Sequence, residues 1–258
     1  MTNREHIVTI AKSYLGTCEG SSNFRDILYF FNSVKPQNYT AKSSDEWCAI
    51  FVSACAIQSF GKKDALTYIP LSASCPYLIK LAKAKSIWIE SDKYVPDKGD
   101  FILYDWEDNG KGDNRGTPNH VGIIEKVTGK TITVIEGNRN EKVKRRKIDV
   151  NARFIRGFIH PHYENITNDK VYRKTNNEIV KEVLSGIWGN GETRKTALIN
   201  AGYDYHTIQK EVSRITKLTN QALEGKYGVG DDRKKSLGAD YKIVQWNINR
   251  IKEKESEK

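Results

Sequence analysis

Two stretches near the C-terminus can be laid over one another, and this constrains the fold more than any other feature of the chain. EVLSGIWGNGETRKTALINAGYDYHTIQKEVSRI aligns with QALEGKYGVGDDRKKSLGADYKIVQWNINRI. The alignment pairs Gly186 with Gly225, Trp188 with Tyr227, Gly189 with Gly228, Gly191 with Gly230 and Arg194 with Arg233. After a three-residue deletion in the second copy, it pairs Tyr205 with Tyr241 and Gln209 with Gln245. So many coincidences in units of about forty residues mark an internal repeat. Each copy reads as a helix ending in a glycine turn, a second helix opening at Glu-Thr-Arg or Asp-Asp-Arg, and a third after the tyrosine. Glycine suits a left-handed C-cap, and acidic residues suit the next helix N-terminus. The copies occupy 176–215 and 216–254, behind a polar stretch at 164–175 that reads as a linker. Residues 1–163 are left as one domain of ordinary size.

In that first domain the segment SSDEWCAIFVSACAIQSF, Ser43 to Phe60, reads as a helix, with Ser43 and Glu46 at capping-box spacing. Cys48 then falls in the first turn or two, where the positive end of the helix dipole favours a thiolate. Helical spacing also places Cys48 with Phe51, Val52 and Cys55 on one stripe, which fits a small residue packed in a core. About seventy residues on, HVGIIEKV and TITVIEGN are rich in β-branched residues and read as two antiparallel strands. With Thr128, Gly129 and Lys130 as a three-residue loop, His120 stands across from Asn138 and Glu136 shares its face. A slip of one residue would send the pair to opposite faces. In the favourable register an imidazole has a carboxylate and an amide beside it, as a general base needs in order to fix its tautomer. Cysteine, then histidine, then a polar orienter is the chain order of papain-type nucleophilic catalysis.

EWCAIFVSACAI, GDFILYDW, NHVGIIEKV and ITVIEGN together resemble the successive motifs of the CHAP family of bacterial and phage cell-wall amidases and endopeptidases. The resemblance covers roughly the first 160 residues. It implies an α+β, papain-like (NlpC/P60-like) domain in which a helix bearing the nucleophile packs on a small antiparallel sheet. It also implies roles: Cys48 as nucleophile, His120 as general base and acid, Glu136 as the residue orienting the imidazole, and Asn138 as an auxiliary polar group. The two C-terminal copies, with the signature G-x-[WY]-G-x-G-x-x-R-K, resemble the CW_7 family of cell-wall-binding repeats, which recognise peptidoglycan fragments. Trp188, Arg194, Tyr205 and Gln209, with Tyr227, Arg233, Tyr241 and Gln245 in the second copy, are the candidate wall-binding residues. An arginine beside an aromatic and exposed backbone could grip a sugar face and a carboxylate. The same arginines could equally cap helices, and the aromatics could be core.

Charge and cysteine usage narrow the classes further. The net charge of +10 raises nucleic acid as a partner, and Lys142, Lys144, Arg145, Arg146 and Lys147 form a basic run. No zinc-finger, RRM or similar motif accompanies it, so no nucleic-acid partner is expected. The run alternates with Val143 and Ile148 and reads as the solvent edge of a strand, and the charge suits attraction to the anionic polymers of Gram-positive walls. Cys18, Cys48, Cys55 and Cys75 show no C-x-x-C spacing and read as one working thiol and three packed ones. No apolar run approaches a membrane span. MTNREHIVTIAKSYLG lacks the pattern of a Sec signal and reads as an amphipathic helix with Ile7, Ile10, Ala11 and Tyr14 on one face. Resemblance to phage endolysins then implies synthesis in the bacterial cytoplasm, release by a holin-type route and action at the wall as a monomer.

No cofactor is expected. Asp105, Glu107, Asn109 and Gly110 imitate the opening of an EF-hand loop, which makes calcium a weak candidate, but position twelve is Gly116 and supplies no bidentate ligand. Family members that bind calcium do so through acidic residues just before the nucleophile, where this chain has only Asp45 and Glu46. Two functions follow as expectations. The first is a cysteine-dependent peptidoglycan hydrolase acting as N-acetylmuramoyl-L-alanine amidase or as stem or cross-bridge endopeptidase. The alternative is a non-catalytic wall-binding protein.

Overall fold

Ser43 and Glu46 do not cap a helix. In the computed structural model, which describes residues 1–110, 114–166, 174–201 and 203–256, the helix begins at Cys48 itself. The carboxylate of Asp45 accepts from the Lys42 amide at 2.7 Å and from the Tyr39 hydroxyl at 2.8 Å, closing a turn before helix can start. Trp47 then takes the N-cap position with no side-chain cap, which leaves Cys48 as the first helical residue.

The chain separates into two units, Met1–Gly20 with Phe24–Arg173, and Ser21–Asn23 with Lys174–Lys258. Most of the expected linker, residues 167–173, lies outside the described residues. In the first unit, α1 (Asn3–Ser13) starts at a capping box of Thr2 and Glu5 and buries Ile7, Ile10, Ala11 and Tyr14, the expected face. After α2 (Ser22–Val34) comes α3 (Cys48–Tyr68), broken at Gly61, and then α4 (Cys75–Ala84). Every residue of α3 from Cys48 to Ser59 is buried, so this is a central helix, apolar or small on all sides except at Gln58, which accepts from the Tyr14 hydroxyl.

The strands are β1 (Trp88–Ile89), β2 (Phe101–Tyr104), β3 (His120–Thr128), β4 (Thr131–Glu136), β5 (Lys144–Asp149) and β6 (Ile155–Ile159). Among the described residues they form one antiparallel sheet in the order β1-β6-β2-β3-β4-β5. Phe101, Leu103, Val121, Ile123 and Ile135 pack in one core with α1 and α3. Ile102, Tyr104, Ile124, Ile132 and Val134 form a second core on the opposite face.

The β3–β4 turn differs from expectation in a way that matters. Thr128 pairs with Thr131, so the turn is Gly129–Lys130 and not a three-residue loop. That change alone would slip the strands by one residue and separate His120 from Glu136. A bulge between Ile124 and Lys126 takes up the residue, and beyond it Ile124 pairs with Val134 and Ile123 with Ile135. This is the register of the longer loop. The expected face is reached by a shorter turn plus a bulge.

In the second unit, α5 (Asn176–Ser185), α6 (Gly191–Asn200), α7 (Tyr205–Leu223), α8 (Gly230–Leu237) and α9 (Tyr241–Ser256) follow the two copies. The boundary drawn at 215/216 falls inside α7, which is both the third helix of the first copy and the first helix of the second. The copies therefore share one core, in which Ile179, Val183, Ile208 and Ile215 pack with Leu237, Val244 and Ile248. That sharing meets the difficulty a unit of about forty residues has in burying enough surface alone. Among the described residues no helix is long and apolar enough to cross a membrane.

Candidate active site

The site forms where the tip of α3 reaches the end of the sheet. Gly137, the residue after β4, packs so closely on this tip that a Cβ there would stand 2.5 Å from Cβ of Phe51. Cys48 occupies the first position of α3, 6% exposed, with the amide of Ala49 directed at its sulfur. His120 opens β3. Glu136 closes β4 and is fully buried on the same face, with its Oε2 3.4 Å from His120 Nε2. Nε2 is thus turned to the carboxylate, which leaves Nδ1 for the thiol of Cys48.

The electrostatics favour an ion pair. The Cys48 thiol is pulled down to about 5, first by the thiol of Cys75 and then, against its burial, by His120 and the Ala49 amide. Burial would lower His120, but Cys48 and Glu136 outweigh it and raise the imidazole to about 9. Glu136 is buried, which disfavours its charge, yet His120 and Arg146 hold it below the usual carboxylate range. Cys48, His120 and Glu136 stand side by side, and these shifts favour the thiolate, imidazolium and carboxylate forms that a nucleophilic acyl transfer uses.

Four participants were not foreseen. Arg146 of β5 donates from Nε to Glu136 Oε1 at 2.6 Å, and its guanidinium lies 4.4 Å from the ring centre of Trp106. The basic run is an edge strand as expected, but strict alternation turns Arg146 inward with Ile148. That phase was readable from the sequence. Trp106 stacks on Tyr104 at 4.6 Å, and Tyr104 in turn stacks on His120 at 5.9 Å, so an aromatic wall flanks the imidazole. Cys75, read as a packed cysteine, has its sulfur 3.7 Å from that of Cys48. Cys55 is the packed thiol expected, fully buried and pushed up by that burial.

Asn138 follows the end of β4 and is engaged with the approach to α3. Its backbone is left-handed, with φ at 54°, and its amide donates to the carboxylate of Glu46. It ties the end of β4 to the approach of α3. Gly122 has the more direct effect on the site. A Cβ on it would stand 2.8 Å from Cγ of Glu136 and 2.5 Å from Cγ1 of Val134. Gly122→Ala should push Glu136 off the imidazole and cost about 1–3 kcal/mol of unfolding free energy, measurable by urea denaturation.

Residues 38–138 match the CHAP domain model, and residues 177–216 and 217–251 each match the CW_7 repeat. The chain carries a CHAP domain and two CW_7 repeats. The CHAP match contains Cys48, Cys75, His120 and Glu136, while Arg146 lies beyond it. Over 52 residues the chain is 40% identical to the lysozyme of Streptococcus phage Cp-7, a stretch that is 20% of this chain and 15% of that protein. The chain thus spans about 15% of the length of the curated relative it matches. No solved structure matches the chain.

The CW_7 repeats place their candidate residues in the same constellation twice. Arg194 donates to the Gly189 carbonyl at 3.0 Å and to Gln209 at 3.2 Å, while Arg233 donates to the Gly228 carbonyl at 3.0 Å and to Gln245 at 3.2 Å. Trp188 donates to Glu182 at 2.9 Å and Tyr227 to Gln221 at 2.7 Å, again at matching positions. Trp188, Tyr205, Tyr227 and Tyr241 are half-buried against the shared core. In this arrangement each arginine ties a glycine turn to a glutamine of the next helix, and the aromatics pack on the shared core.

Asp105 accepts from the Glu107 amide at 3.0 Å, and Asp108 accepts from the Gly110 amide and lies 3.5 Å from Arg153. Asn109 follows Asp108 in the chain, and residues 111–113 lie outside the described residues. Among the described residues no three His, Cys, Asp or Glu side chains converge on a point that could hold a metal ion.

Proposed function

We propose that the protein is a peptidoglycan hydrolase of the endolysin type, which cleaves an amide bond of the bacterial wall through Cys48, His120 and Glu136. The observation that carries this reading is the buried grouping of Cys48, His120 and Glu136 at the tip of α3. The Cys48 thiolate attacks the amide carbonyl, and the amide of Cys48, free in the first helical turn, is placed to donate to the oxyanion. His120 passes a proton to the leaving amine, then takes one from the water that resolves the acyl-enzyme. Glu136 holds the ring through Nε2 and stabilises its charge, so Nδ1 stays on the reacting side.

The CW_7 repeats supply wall binding, and likeness to a phage lysozyme supports the wall as the target of the whole chain. A thiol nucleophile fits amide chemistry, hence an amidase or an endopeptidase. The charge of +10 favours Gram-positive walls, whose anionic polymers would concentrate the enzyme at its substrate.

Mass spectrometry of fragments released from purified Gram-positive peptidoglycan tests this, with Cys48→Ala as control. Stem peptides freed from intact glycan would identify an amidase. Shortened stems or opened cross-bridges would identify an endopeptidase. Absence of Cys48-dependent products across several wall types would leave only a wall-binding protein.

A further inference from the structure

The second thiol at the site is held there by the fold. Cys75 is the first residue of α4, whose N-cap Ser74 accepts from the Tyr77 amide. The strap that joins α3 to α4 is pinned from both sides. Ser53 of α3 donates to the Ser72 carbonyl at 3.0 Å and accepts from the Ser72 amide at 3.0 Å, and the Ser74 amide donates to the Ser72 hydroxyl at 3.1 Å. Gln37 holds the Leu71 carbonyl at 2.9 Å. These bonds fix the start of α4 against α3. The outcome is two sulfurs 3.7 Å apart, both 6% exposed.

Resting on the reading of Cys48 as nucleophile, we propose that Cys75 is a positioning residue whose thiol donates to the Cys48 sulfur and holds it as a thiolate facing His120. Two negative sulfurs at this distance, with little water between them, cannot coexist, so one proton stays on the pair. His120 decides which sulfur keeps it, because the imidazole faces Cys48. Cys75 is accordingly pushed well above the ordinary thiol range, first by Cys48 and then by burial, and remains a donor. A donor lowers the intrinsic nucleophilicity of the sulfur it serves, but by less than the gain in thiolate at acid pH, since nucleophilicity falls with a slope below one. The same bond eases departure of the thiolate when the acyl-enzyme is resolved.

The test is the rate of iodoacetamide alkylation at Cys48 against pH, followed by peptide mass spectrometry of the full chain kept reduced. Wild type should show an acid midpoint near 5. Cys75→Ala, and Cys75→Val, which fills the site without a donor, should move it upward by about one to two pH units. Cys75→Ser restores a donor and should bring it back toward wild type. A packing role alone would leave the midpoint in place, so unchanged midpoints in Cys75→Ala and Cys75→Val would overturn the proposal while the nucleophile stands. A wild-type Cys48 alkylated no faster at pH 6 than Cys55 would overturn both this proposal and the reading of the site.

Discussion

Replacing Cys48 with alanine is expected to lower peptidoglycan hydrolysis by about 10⁴-fold or more while leaving wall binding intact. The loss is large because the thiolate is the group that forms the covalent bond, and among the described residues the other sulfur at the site is the protonated thiol of Cys75. Structure should survive, because alanine suits the first turn of a helix and fits the space of a small buried residue. Binding should survive because the repeats form a unit with its own core, from Ile179 to Ile248. Clearing of a Gram-positive wall suspension measures the first effect, and co-sedimentation with insoluble peptidoglycan the second. Lysis retained by the variant would remove Cys48 from the mechanism, and binding lost with it would assign wall recognition to the CHAP domain.

What the sequence disclosed and what it hid follow a physical division. Residue types with a local pattern were readable: the buried face of α1, the central helix bearing Cys48, and the two strands that carry His120 and Glu136 on one face. The repeat alignment was readable too, and the structure gives it a reason, since Arg194 and Arg233 each hold a glycine carbonyl and a glutamine from the next helix. The hidden parts are those settled by competition or by distance along the chain. Asp45 closed a turn that pre-empted the Ser43 cap. A bulge opposite Thr133 and Val134 offset a turn one residue shorter than expected. Cys75 meets Cys48 only because serine bonds set the path of the connection between their helices. The continuous α7 was masked by the repeat itself, because two copies suggest a break where the chain runs on as helix.

Glu136→Gln is the second substitution with a large expected effect, a fall in hydrolysis of about 10²-fold to 10⁴-fold with a displaced pH profile. In wild type the competent pair exists where Cys48 has lost its proton and His120 has kept its own, between about pH 5 and about pH 9. The upper limit is high because Cys48 and Glu136 together outweigh the burial of the imidazole. Glutamine keeps the shape of Glu136 but removes the charge, so the imidazolium loses stabilisation and the basic limb must move to lower pH. Arg146 adds to this. Its guanidinium, 2.6 Å from Glu136 Oε1, would then carry a positive charge without the partner that offsets it, in a site where burial strengthens repulsion of the imidazolium. The acid limb should rise in turn, since a less charged imidazole supports the thiolate less well. The window narrows from both sides, more at the basic end. Rates of wall hydrolysis from pH 4.5 to 10 would show this, and a basic limb left where it was would mean that Glu136 holds the sheet together without serving His120. Arg146→Gln distinguishes the remaining possibility: with the guanidinium gone and Glu136 intact, the basic limb should move upward, opposite to the shift in Glu136→Gln.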